Sequence, residues 1–175
     1  ISEPSNLFVS GMVNLYTKEF YQLVKRRLKP GGVFCQWIHY YQMSEGDMRG
    51  AIRTVLTAFP NSTFWFHELG DSFIIGTDSP TAISLTDWRK QLSHPPVKEN
   101  LSLLGVSPPE TVLGYLAWGP RDLDRFSAGA RVCTDDFPYL EFTTPRIRYL
   151  ESGVEKLRTR MKFFPSMFFN KIPNN

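Results

Sequence analysis

The sequence predicts an α/β fold: a parallel sheet crossed by helices, with an antiparallel hairpin at its edge. Three observations predict it. Two apolar stripes at three- and four-residue spacing, around residues 16–28 and 48–59, each follow a short segment of strand character. Residues 33–38 (VFCQWI) form the mostly apolar run expected of a buried parallel strand. Two β-rich runs, 63–67 and 72–77, flank Leu69-Gly70-Asp71, a hairpin signal.

Each element has a local cause. Ile1-Ser2-Glu3-Pro4 reads as the end of a strand entering a loop, so the chain is expected to be the C-terminal piece of a longer protein. Thr17 is placed to cap a helix whose stripe is Tyr16, Phe20, Leu23, Val24 and Leu28. Lys25, Arg26, Arg27 and Lys29 suit the negative end of its dipole, and Lys29-Pro30-Gly31-Gly32 stops it. Ser44 and Asp47 have capping-box spacing ahead of Met48, Ala51, Ile52, Val55, Leu56 and Phe59, and Pro60-Asn61 closes that helix.

Beyond residue 78 the pattern weakens. Ser84 or Thr86 caps a short helix through Leu92, and His94-Pro95-Pro96 interrupts the chain. Ser107-Pro108-Pro109-Glu110 opens a helix that Gly119-Pro120 ends, followed by a short one over 123–126. Residues 134–138 (TDDFP) form a turn, and 139–142 read as a last strand. Residues 147–175 form a basic tail holding Phe163, Phe164, Phe168 and Phe169, expected to dock on the same protein or meet a membrane interface.

Composition excludes several classes. The 175 residues suit one domain, and 42% hydrophobic with 21% charged residues is neither disordered nor fibrous. A net charge of +3 is too small for a nucleic-acid footprint. Cys35 and Cys133 cannot form a disulfide scaffold or a cysteine-rich zinc site, and neither is read as a catalytic nucleophile. His39 and His67 are read as hydrogen-bonded structural histidines, with no metal spacing between them.

Two parallel strands joined by a right-handed crossover end on one sheet edge, where open α/β sheets bind ligands. Glu3 follows the first strand, and His39, Tyr40 and Tyr41 follow the second. A carboxylate there can attract a cationic amine and accept its proton, or it can simply cap the loop or pair with a lysine. Periodicity does not choose the substrate.

Residues 1–6 (ISEPSN), 15–21 (LYTKEFY), 28–37 (LKPGGVFCQW) and 134–142 (TDDFPYLEF) resemble the C-terminal half of spermidine synthase-like proteins. These are polyamine aminopropyltransferases with a Rossmann-like, methyltransferase-type sheet. The bacterial subgroup fused behind a membrane domain is the most similar. The resemblance covers about residues 1–77 and 131–146, and the motifs are moderately specific in combination.

The resemblance implies aminopropyl transfer from decarboxylated S-adenosylmethionine, a co-substrate rather than a resident cofactor, to a diamine such as putrescine. Glu3 corresponds to the catalytic acid of the family's Asp-Ser-Ser-Asp-Pro-like loop, and Asn6 stands where its second aspartate would be. Asn6, Gln36, Trp37, Tyr40, Tyr41, Asp135 and Asp136 are the candidate substrate-binding residues. No metal is expected. Residues 1–146 would be a partial catalytic domain whose nucleoside-binding half lies upstream, and the isolated chain is expected to be inactive. A cytoplasmic domain without nucleic-acid partners follows, with a homodimer and an upstream membrane domain left open. Two alternatives stand beside it: a methyltransferase of the same fold, and a non-catalytic nucleoside- or polyamine-binding domain attached to a membrane module.

Overall fold

The computed structural model describes residues 1–66, 71–80, 84–106 and 109–147. The turn of the hairpin, His67 and the Phe-rich tail lie outside them. A 3-10 turn, Met12–Leu15, leads into α1, Lys18–Arg27. Thr17 caps α1 by accepting from the Phe20 N–H at 3.3 Å, and three basic residues occupy its last turn. Gly31, at φ 73, turns the chain into β1, Val33–His39. The Ser44–Asp47 capping box starts α2, Glu45–Leu56.

The strands β2, Thr63–Phe66, and β3, Asp71–Thr77, pair antiparallel as a hairpin. Ser84 caps α3, Leu85–Leu92. His94-Pro95-Pro96 does not merely interrupt: it begins α4, Pro95–Leu103, because proline at a first helical position sacrifices no needed N–H. No residue of α4 is buried.

Residues 109–115 form a 3-10 helix rather than an α-helix, and lead into a short strand, β4, Leu116–Trp118. Gly119-Pro120 starts α5, Pro120–Ser127, rather than ending its predecessor. The Asp122 carboxylate accepts from the Gly119 N–H at 3.2 Å, and Pro120 again suits the first turn. The last element is α6, Leu140–Ile147. Residues 139–142 are therefore not a strand. The Thr143 N–H donates to the Tyr139 carbonyl at 3.1 Å, the four-residue bond of a helix, and Leu140 and Thr144 are buried one turn apart.

The sheet order is β1-β3-β2-β4, with every pairing between named strands antiparallel. The hairpin is therefore not at the edge: β3 lies between β1 and β2, and β4 flanks them. β1 and β2 both run opposite to β3 and so run the same way. Among the described residues the one parallel contact is at Ser2, which pairs with Gln36 of β1. Ser2 donates to the Cys35 carbonyl at 2.8 Å and accepts from the Trp37 N–H at 2.9 Å. The chain is thus a mixed helix–strand fold with an antiparallel four-stranded sheet.

Period-2 alternation gives β1 two distinct faces. Phe34, Gln36 and Ile38 enter the main core with Tyr16, Tyr21, Ile52, Val55, Phe59, Phe64, Ile74 and Trp118. On the opposite face a smaller cluster of Trp65, Leu113 and Leu116 packs with Ile75, Leu85 and Trp88.

Candidate functional site

The carboxyl end of β1 carries a row of rings on the face away from the main core. His39 is fully buried. Trp37 stacks on it at 5.4 Å, Tyr41 lies tilted at 5.0 Å, and Phe8 meets it edge-on at 5.8 Å. Contrary to expectation, neither of its ring nitrogens has a hydrogen-bond partner among the described residues. Burial among rings lowers its pKa to about 4, with the Asp71 carboxylate pulling weakly the other way, so the imidazole is neutral at ordinary pH.

Two polar groups close the row. At one end the Asn6 amide donates to the Tyr41 hydroxyl at 2.7 Å. At the other, Trp37 donates its indole N–H to Asp71 Oδ1 at 3.0 Å, and Asp71 sits opposite His39 in the β1–β3 register. The parallel contact at Ser2 makes this possible, because it delivers residues 3–8 to the end of β1.

The predicted residues divide. Asn6, Trp37 and Tyr41 come together as described. Glu3 is at the same end but exposed, with no bond to a described residue. Gln36 is buried on the core side. Its carboxamide makes no hydrogen bond of ordinary geometry, yet it stands near enough to the Tyr16 hydroxyl to offset part of the rise that burial imposes on that phenol. Tyr40 also turns inward, against Phe66 at 4.8 Å.

Asp135 and Asp136 lie in the predicted turn, where Phe137 N–H donates to the Thr134 carbonyl at 3.1 Å. Asp135 donates its backbone N–H to Glu19 Oε2 at 3.0 Å and lines an open hollow of about 530 Å³ with Asn14, Phe20, Leu23 and Arg26. Asp136 is exposed. That hollow shares no residue with the ring row at β1.

Sequence reasoning missed Asp71 and Phe8. Asp71 was assigned to the hairpin turn but is the first residue of β3. A signal existed: sliding residues 71–77 antiparallel along 33–39 sets Asp71 against His39. Cys133, just ahead of the turn at 134–138, is fully buried, and burial pushes its thiol up to about 11. Cys35 is raised for the same reason, so both thiols stay protonated. Among the described residues no group of three or more His, Cys, Asp or Glu could hold a metal ion, and no helix is long and apolar enough to cross a membrane.

No protein-family model matches the chain, and no curated protein matches it. Among solved structures, it is similar to a probable spermidine synthase from Corynebacterium glutamicum. The identity is 16% and the TM-score 0.45, over 70% of this chain and 42% of that one. The chain therefore spans about two-fifths of that protein's length. The likeness assigns no role to any residue.

Proposed function

We propose that the chain forms the acceptor-side half of a spermidine synthase-like aminopropyltransferase. In this reading a neutral amine nitrogen attacks the propyl carbon beside the sulfonium of decarboxylated S-adenosylmethionine. A C–N bond forms, the C–S bond breaks, the thioether nucleoside leaves, and the nitrogen loses a proton. The residues described here would bind and orient the amine, and the nucleoside would be held by polypeptide upstream. The protein would keep no resident cofactor and work in the cytoplasm.

What carries the reading is the contact of Asn6 with Tyr41. The family-like loop at residues 3–6 and the segment after β1 meet at one sheet edge, where an open α/β sheet places its ligand. The aromatic floor of Trp37 and Tyr41 suits an alkylammonium chain, through apolar contact along the stem and cation–π attraction at the charge.

The test is which nucleoside the full-length protein releases. With putrescine and decarboxylated S-adenosylmethionine, methylthioadenosine is the expected product. S-adenosylhomocysteine from the ordinary donor would replace this reading with a methyltransferase, and no turnover with either donor would replace it with a binding domain.

A further inference from the structure

We propose that Asp71 holds the ammonium at the non-reacting end of a diamine substrate. The inference rests on the proposed function and adds to it a residue and a preference for two charges over one.

Three features of Asp71 support the assignment. Its position is fixed: β3 pairing places it opposite His39, and the Trp37 indole N–H orients Oδ1 from 3.0 Å. No described residue bonds the other oxygen, Oδ2, and the ion pairs among the described residues (Lys25–Asp78, Arg53–Asp124 and Arg89–Glu110) leave Asp71 out. Finally, its neighbour across the pair, His39, is caged by three rings and brings no positive charge. A half-buried carboxylate that is oriented but not neutralised attracts a cation more strongly than an exposed one, because water screens it less.

Glu3 lacks these features. It is exposed and has no described hydrogen-bond partner to orient it. The chemistry also separates the two ends of a diamine. A carboxylate contact favours the charged form of an amine, which is what an anchoring group needs and the reverse of what a nucleophile needs. The rings between Asp71 and Asn6 give the alkyl stem an apolar path along the sheet face.

The experiment compares the full-length protein with Asp71→Asn, using 1,4-diaminobutane and 1-aminobutane as acceptors. Asparagine keeps an acceptor oxygen for the Trp37 indole, so the substitution removes charge rather than the hydrogen bond. The expected result is a rise in KM for the diamine of about tenfold to a hundredfold in Asp71→Asn, with kcat little changed. The preference for diamine over monoamine should collapse in the same variant. An Asp71→Asn enzyme with the parent's KM and preference overturns the assignment while the reaction stands. Absence of preference in the parent overturns it without any variant.

If the parent transfers no aminopropyl group, the proposed reaction fails and tryptophan fluorescence titrated with 1,4-diaminobutane decides Asp71 separately. A response in the parent that Asp71→Asn loses supports the assignment. No response, or the same response in both proteins, refutes it.

Discussion

Cys133 donates its backbone N–H to the Thr54 hydroxyl at 2.9 Å, and that hydroxyl in turn donates to the Gly50 carbonyl at 2.7 Å. Thr54 is fully buried in α2, so this relay ties the segment before α6 to the middle of a core helix. Thr54→Val keeps the shape and strands the buried Cys133 N–H. It should cost about 1–3 kcal/mol of stability in urea denaturation. Thr54→Ser, which keeps the hydroxyl, should lose clearly less; equal losses would mean that the methyl group matters and the relay does not.

A second site is set by space alone. A Cβ on Gly76 of β3 would lie 2.7 Å from the first ring carbon of Phe59 and 2.8 Å from its Cβ. Phe59 is fully buried and stacks on Phe34 at 5.4 Å, so it has nowhere to go. Gly76→Ala should destabilise by about 1–3 kcal/mol, read as a lower melting temperature. Pairing it with Phe59→Leu should give less than the sum of the two single losses, because the clash is shared.

The buried imidazole predicts a pH dependence. His39 titrates near 4 when folded against 6.5 as the usual value, so between these limits the unfolded chain binds the extra proton. Its contribution is therefore fully present above about pH 6.5 and is lost as pH falls toward 4. The Asp71 carboxylate faces it across the strand pair and Tyr41 lies beside it. His39→Phe should flatten the fall in the urea midpoint over that window. An unchanged slope would assign acid sensitivity to other groups.

Tyr41→Phe tests the loop tether. Removing the hydroxyl deletes the 2.7 Å contact with Asn6 at a partly exposed position, so stability should change by less than about 1 kcal/mol. In the full-length protein the KM for the amine should rise several-fold while kcat moves less. A fall in kcat with an unchanged KM would place Tyr41 in the chemical step instead.

Local rules made much of this fold legible. Caps at Thr17, Ser44 and Ser84 were readable because each is settled within four residues. The glycine stop before β1 was equally plain. Long-range pairing was not: nothing near Val33 says that Thr77 will lie beside it, and so the inner position of β3 and the placing of Asp71 were missed. Leu116–Trp118 is too short for alternation to announce a strand. Residues 139–142 have β-forming side chains, but their backbone continues the turn after Pro138, with Glu141 N–H bonded to the Pro138 carbonyl at 3.0 Å.

In the site, chemical residue types near β1 could be read, but their side of the sheet could not. Tyr40 and Tyr41 are adjacent, and period-2 alternation sends one into the core and the other to the rings.

The helix α4 stands apart from the packing of both cores. Val97, Leu103 and Leu104 face outward on or beside it, and none of its residues is buried. Undoing that turn of chain exposes almost no new oil to water, so its opening is uncoupled from the melting of the sheet. Amide protons there should exchange at a rate set by the helix alone, and a protease should nick the molecule at Lys98 while the sheet stays assembled.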